Sequence, residues 1–178
     1  NGNGTFGAAT TYDGGQTSTY DVITADLDND SDLDVLVANY TGNSISVYVG
    51  DNSGGLGAAT QYDVGTCFPK ALDVGDLNGD NYLDVVASCD GVGPGSIHVL
   101  LSDGSGALED AGALVVGDIP RKGITLGDLN EDGHLDIIVG SNYGYLRLLF
   151  GDGAGNFSPA TFNFDETAHY LATGDLNE

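Results

Sequence analysis

ADLDNDSDLDVLVA at residues 25–38 returns as GDLNGDNYLDVVAS at 75–88 and as GDLNEDGHLDIIVG at 127–140, and a further copy starts with GDLNE at 174–178. The leading aspartates Asp26, Asp76, Asp128 and Asp175 stand 50, 52 and 47 residues apart, a period that suits one propeller blade or one solenoid unit. In each complete copy an acidic stretch runs directly into a short apolar, β-branched segment, which reads as a loop feeding a strand.

A second pattern alternates with the first: SISVYVGDNSGGLGAATQYD at 44–63, SIHVLLSDGSGAL at 96–108 and YLRLLFGDGAGNFSPATFNFD at 145–165. Each is a strand, a glycine turn and another strand. NGNGTFGAATTYD at 1–13 matches the turn and final strand of this pattern, so the chain begins inside a repeat as it ends inside one. Each unit therefore has four strands, expected in the first at about 20–25, 34–39, 44–50 and 57–63. Four antiparallel strands per repeat make a propeller blade. A β-solenoid is the alternative, but its coils are shorter and lack up-and-down hairpins.

The expected fold is thus all-β, a single propeller segment over 1–178. Residues 1–13 supply the terminal strand of a preceding blade, 20–63 blade 1, 70–116 blade 2, 122–165 blade 3 and 169–178 the start of another. A closed propeller takes at least about four blades. The arc is expected not to close alone, the remaining blades coming from a longer chain or another copy.

Composition agrees with many short strands and tight turns: 29 glycines, only four prolines and 40% hydrophobic residues without a sustained helical apolar period. Four basic residues face 27 acidic ones, a formal charge of -23 that repels phosphate backbones and anionic headgroups, so neither nucleic acid nor a membrane surface is an expected partner. Twelve of the acids are aspartates inside the four acidic segments, and such clustering suggests a cation. No stretch approaches the roughly 20 apolar residues of a membrane span, so no membrane insertion is expected. Methionine is absent even at position 1, so a processed or partial chain is expected, with any signal peptide out of view.

Read as Asp-x-Asp/Asn-x-Asp-x-x-x-Asp, the loops carry oxygen side chains at positions 1, 3, 5 and 9: Asp26, Asp28, Asp30 and Asp34; Asp76, Asn78, Asp80 and Asp84; Asp128, Asn130, Asp132 and Asp136. Alternate residues of a tightly curved loop point inward together, and hard carboxylate oxygens with a backbone carbonyl suit the six- to eightfold shell of calcium better than the strict octahedron of magnesium. An EF-hand begins alike but needs flanking helices and a Glu at position 12. Here those positions are Val37, Ala87 and Val139, inside apolar strands. The alternative for any single stretch is an Asp- and Gly-rich turn.

The sequence resembles the FG-GAP or integrin-α-type repeat, also called the VCBS repeat, whose core is DxDxDGxxD, over essentially the whole chain. The resemblance implies a calcium ion in the strand 1–2 hairpin of each blade, held by side chains 1, 3, 5 and 9 and the carbonyl of position 7. Those carbonyls would belong to Asp32, Tyr82 and His134. Three sites would be complete and a fourth, with only Asp175 and Asn177, incomplete. The family glycine at position 6 survives as Gly133, whereas Ser31 and Asn81 replace it elsewhere, and serine tolerates left-handed backbone less well than asparagine.

The resemblance also implies that a ligand is taken on the face opposite the calcium loops, where the strand 2–3 and 4–1 connections emerge, or in clefts between blades. Arg121 and Lys122 fall together in the 4–1 connection at 116–122 and could receive an acidic group, or be ordinary solvated side chains. Tyr40 and Tyr143, in related 2–3 loops, could stack on a sugar or a side chain, or simply pack. His98, His134 and His169 sit in three different settings with no nucleophile or second histidine at catalytic spacing, and the carboxylate clusters are accounted for by the metal reading. No enzyme activity is expected. The expected function is a secreted or cell-surface, calcium-stabilised segment that binds protein or carbohydrate. A propeller belonging to a larger secreted polysaccharide lyase or phospholipase, and a calcium-stabilised lectin, are the alternatives. Cys67 and Cys89 lie at the start of strand 1 and the end of strand 2 of blade 2, ends that antiparallel pairing brings together, and are expected to form a disulfide. Asn3, Asn39 and Asn156 each begin an N-x-S/T sequon.

Overall fold

A computed structural model describes residues 4–5, 7–13, 18–91, 94–117, 120–141, 145–163 and 171–174. Among these, every regular element is a strand, and the strands form three four-stranded antiparallel sheets, each a simple up-and-down meander. Blade 1 contains β1 (Thr19–Ala25), β2 (Asp34–Asn39), β3 (Ser44–Tyr48) and β4 (Thr60–Asp63). Blade 2 contains β5 (Pro69–Gly75), β6 (Asp84–Cys89), β7 (Ser96–Ser102) and β8 (Leu108–Val115), and blade 3 contains β9 (Pro120–Gly127), β10 (Asp136–Ser141), β11 (Tyr145–Gly151) and β12 (Phe157–Asn163).

The register at the acidic hairpin is the same in all three blades. Ala25 faces Asp34, Gly75 faces Asp84 and Gly127 faces Asp136, so the last aspartate of every acidic loop is also the first residue of its second strand. The blades stack face to face. One apolar cluster joins Leu36, Ala38, Ile45 and Val47 of blade 1 to Leu72, Val85, Ala87 and Leu100 of blade 2. A second joins Val86, Ile97 and Val99 of blade 2 to Ile124, Leu126, Ile137 and Val139 of blade 3. Every residue of β6 is buried, as are Asp136 to Gly140 of β10, whereas β2, equally apolar in sequence, alternates from Asp34 to Ala38. Each fully buried aliphatic chain contributes on the order of 1.5–3 kcal/mol.

First strands of successive blades are held by carboxylates as well as by apolar contact. Leu72 N–H donates to Asp21 Oδ2 at 2.9 Å and Leu126 N–H donates to Asp73 Oδ2 at 2.8 Å, each link crossing from one blade to the next. Gly75 and Gly127 permit the close approach, since a Cβ on Gly127 would meet Thr173 at 3.1 Å and one on Gly75 would meet Leu126 and Leu135. Leu126 is buried, so Asp73→Ala should cost about 1–3 kcal/mol by stranding its N–H. Urea denaturation measures this, and Asp73→Asn, which keeps an acceptor, should lose less.

The two ends of the chain follow the same stacking. Thr173 Oγ1 donates to the Leu126 carbonyl at 2.9 Å, setting residues 171–174 beside β9 as β9 sits beside β5. At the other end, the Leu56 N–H donates to the Tyr12 hydroxyl at 3.2 Å and Tyr12 meets Tyr48 edge-on. Tyr62, the matching tyrosine of blade 1, donates its hydroxyl to the Gly106 carbonyl in the equivalent turn of blade 2. Tyr12 thus relates to blade 1 as Tyr62 relates to blade 2. Among the described residues, 7–13 and 171–174 belong to no strand.

Two expectations need correction, and one sequon is set aside. In blade 1, β3 stops at Tyr48 and β4 starts at Thr60, with an isolated Gly50–Leu56 bridge between, because Gly57-Ala58-Ala59 offers little side chain to hold a ladder. Arg121 and Lys122 lie within β9, not in a connection: a register shift between Val139 and Ser141 lets Pro120 pair with Ser141 and lengthens the strand. Asn39, the second sequon, is 2% exposed and its amide donates to Ser44 and Ser46 hydroxyls, so it is no glycan acceptor in the folded chain. Asn3, Tyr143, His169, Asp175 and Asn177 lie outside the described residues.

Candidate functional site

Each acidic segment forms the hairpin between strands 1 and 2 of its blade, and the same hydrogen bonds recur in all three. The position-9 carboxylate is completely buried and receives two backbone N–H groups. For Asp84 these come from Leu77 at 2.9 Å and Ser102 at 2.9 Å, for Asp34 from Leu27 and Gly50, and for Asp136 from Leu129 and Gly151. It therefore pins the loop to the end of strand 3. The position-1 carboxylate accepts from the amides of positions 5 and 6, as Asp26 does from Asp30 and Ser31, Asp76 from Asp80 and Asn81, and Asp128 from Asp132 and Gly133. Position 5 in turn accepts from the position-7 amide, of Asp32, Tyr82 or His134, at 2.8–2.9 Å.

This pattern curls the loop around its own oxygens. The curl needs left-handed backbone at position 6, with φ of 75° at Ser31, 69° at Asn81 and 88° at Gly133, so serine adopts the conformation that glycine takes in the third loop. It needs it also at position 4, at Asn29, Gly79 and Glu131, a demand the residue types alone do not disclose.

In loop 1, carboxylate oxygens of Asp26, Asp28 and Asp34 lie within 4.8 Å of one another, close enough to share one cation. Burial, together with the nearby Asp30, Asp34 and Asp26 carboxylates, raises the Asp28 pKa, partly offset by the Asp30 amide. Burial likewise raises that of Asp84, helped by Asp80 and Asp76 and opposed by the amides of Ser102 and Leu77. In loops 2 and 3 position 3 is an asparagine whose amide donates to the position-5 carboxylate, Asn78 to Asp80 and Asn130 to Asp132, both at 2.9 Å. With the His134 amide as the larger cause, that bond lowers the Asp132 pKa. A hard cation fits this donor set: several oxygens, crowded like charges and no competing lysine or arginine hydrogen-bonded to them among the described residues.

Sequence reasoning did not find the contribution of the glycine turns between strands 3 and 4. Asp51, Asp103 and Asp152 open these turns and accept from Ser53, Ser105 and Ala154 amides, which lower their pKa values, with the Ser53 and Ser105 hydroxyls the larger cause in the first two. The turns lie against the acidic loops of the same blade. Asn52 donates to Asp30 at 3.1 Å, and a Cβ on Gly104 or Gly153 would fall on the ring of Tyr82 or His134. The residues pair accordingly: an aromatic ring at loop position 7 goes with glycine in the turn, and the smaller Asp32 with Asn52.

The FG-GAP-like repeat family model matches residues 26–87, 76–139 and 128–178. The chain belongs to this family. The overlapping matches each run from one acidic loop through the next, so the family's unit is the loop and blade just described. With the three sheets, membership makes the chain a propeller-type segment. No curated protein matches the chain.

The opposite face of this FG-GAP-like segment carries the 2–3 and 4–1 connections. Tyr40 stacks on Tyr20 with ring centroids 4.6 Å apart and contacts Phe68 at 5.3 Å, with Lys70 over its ring and paired to Asp90. Phe68 has φ +51°, held by its N–H to Asn43 Oδ1 and by the Asp90 N–H on its carbonyl. Cys67 and Cys89 form the expected disulfide beside it. Tyr40 is thus a packed member of a cluster spanning blades 1 and 2, whose exposed member is Tyr20.

Proposed function

We propose that this chain is a non-catalytic, calcium-stabilised propeller segment that works outside the cell and binds protein or carbohydrate through the face opposite its acidic loops. The observation that carries the proposal is the recurrence of one hydrogen-bond pattern in three acidic loops, which curls each loop around its position-1 and position-9 carboxylates and in loop 1 brings oxygens of Asp26, Asp28 and Asp34 within 4.8 Å of one another. Asp26, Asp28, Asp30 and Asp34, then Asp76, Asn78, Asp80 and Asp84, then Asp128, Asn130, Asp132 and Asp136 would hold the ions, with the carbonyls of Asp32, Tyr82 and His134. When bound, calcium supplies charge neutralisation and no chemistry. The disulfide supports an oxidising compartment, and no helix among the described residues is long and apolar enough to cross a membrane. The cross-blade aromatic cluster, braced by the disulfide and the strained Phe68, supports the opposite face as the place for a ligand.

Equilibrium dialysis against calcium, with elemental analysis, tests the metal half of this reading. Three ions per chain are expected, two after Asp76→Ala, and fewer than one in the intact chain would refute it. Binding of glycans or extracellular proteins that Tyr20→Ala abolishes would support the ligand half, and binding indifferent to that change would move the ligand elsewhere.

A further inference from the structure

The acidic loops are not closed by their own blades alone. In blade 3, the Gly155 N–H of the strand 3–4 turn donates to the Leu77 carbonyl inside the loop of blade 2 at 3.0 Å, and a Cβ on Gly155 would stand 3.8 Å from the Asn78 Cβ. The Gly153 carbonyl reaches the same loop at Gly79. In blade 2, Gly106 occupies the matching place over the loop of blade 1, where a Cβ would stand 3.5 Å from the Asp28 Cβ. Loops 1 and 2 are thus each covered by the glycine turn of the following blade. The apolar residue at loop position 2 records the difference: Leu27 is 1% exposed and Leu77 2%, but Leu129, in the loop of blade 3, is 44% exposed.

We infer that the strand 3–4 turn of each blade caps the cation loop of the blade before it, so that a loop's affinity for calcium depends on a neighbouring blade that contributes no ligand. The cap acts by packing. It excludes water from one side of the loop and holds the curl around position 3 in place, so less ordering remains to be done when an ion arrives. Loop 128–136 alone keeps the family glycine at position 6, yet it binds most weakly in this chain, and its exposed Leu129 is a seat for the glycine turn of one further blade of the same repeat. This inference rests on the calcium reading above.

Gly54, Gly106 and Gly155 are equivalent turn positions with φ of 83°, 78° and 79°, but Gly54 has nothing within 4 Å. Valine at any of them strains its own turn alike, and only at Gly106 and Gly155 does it also push on a neighbouring loop. Calcium is titrated into the full chain and the exchange of the amides of 29–32, 79–82 and 131–134 is followed by mass spectrometry. Gly155→Val should raise the calcium midpoint of loop 2 about tenfold or more, Gly106→Val should do the same to loop 1, and Gly54→Val should leave loop 2 unchanged. In the unsubstituted chain, loop 3 should respond at the highest calcium concentration. Equal effects of Gly54→Val and Gly155→Val on loop 2, or no effect of either, would overturn the inference. If no loop of the unsubstituted chain responds to calcium, the metal reading fails on its own. Capping then stands or falls on whether metal-free exchange at 79–82 quickens in Gly155→Val but not in Gly54→Val.

Discussion

Chelating calcium should lower the melting temperature by several degrees for each loop that empties, with magnesium unable to restore it. Each loop carries at least three carboxylates within nine residues, in loop 1 with oxygens of Asp26, Asp28 and Asp34 within 4.8 Å of one another, and its position-9 aspartate is wholly buried at the root of the hairpin. Without an ion, that arrangement confines like charges in a region of reduced dielectric. An ion that binds only the folded loop stabilises by RT ln(1 + [L]/Kd), about 2.7 kcal/mol at a hundred times Kd. In a chain of this size each kcal/mol moves the melt by roughly 2–4 °C. Three independent loops would together supply about 8 kcal/mol, as much as the whole stability of many domains. Asp76→Ala should forfeit one loop's share, while neutralising Asp63 or Glu109, exposed acids outside the loops, should not. Calorimetry with calcium, magnesium and chelator decides it, and coincident melts in all three would be incompatible with structural calcium.

Reducing the Cys67–Cys89 bond should cost about 3 kcal/mol, since the bond spans 22 residues and releasing it restores loop-closure entropy to the unfolded chain. The loss should fall on the face opposite the acidic loops. Cys67 precedes Phe68, whose left-handed backbone is held between Asn43 of blade 1 and Asp90 of blade 2. Releasing the tether frees this segment first, so the Tyr20–Tyr40–Phe68 stack should loosen while the calcium loops hold. Chemical denaturation of oxidised, reduced and Cys67→Ala/Cys89→Ala protein measures the cost, with tyrosine near-ultraviolet circular dichroism reporting the stack. An unchanged midpoint after both thiols are shown free would reject a stabilising role.

The repeat made the blades readable, because a strand period of two and a loop of alternating oxygens are local properties of a few residues. The strands at 34–39 and the end of β1 at Ala25 fall where the pattern puts them, and the cysteine pair follows from the antiparallel register of β5 and β6. Features that depend on a different blade were not readable. Nothing local to DGAGN at 152–156 tells that its second glycine caps a loop 78 residues earlier in the chain. Nor does VLVA in β2 differ in kind from VVAS in β6, yet one alternates and the other is buried throughout. Arg121 and Lys122 read as connection residues because a register shift leaves no local mark. Glu131 shows the same limit at smaller scale: its left-handed φ is imposed by the hydrogen bonds of Asp128 and Asp132 around it, not by any preference of glutamate.

The most direct test of the calcium account is a crystal structure of the chain grown with calcium, measured at long wavelength where calcium scatters anomalously. The account predicts one anomalous peak in each of the three loops, within about 2.3–2.6 Å of oxygens from positions 1, 3, 5, 7 and 9, and the weakest peak at Asp128–Asp136. Well-ordered loops without peaks at those centres, or peaks held by other residues, would contradict it.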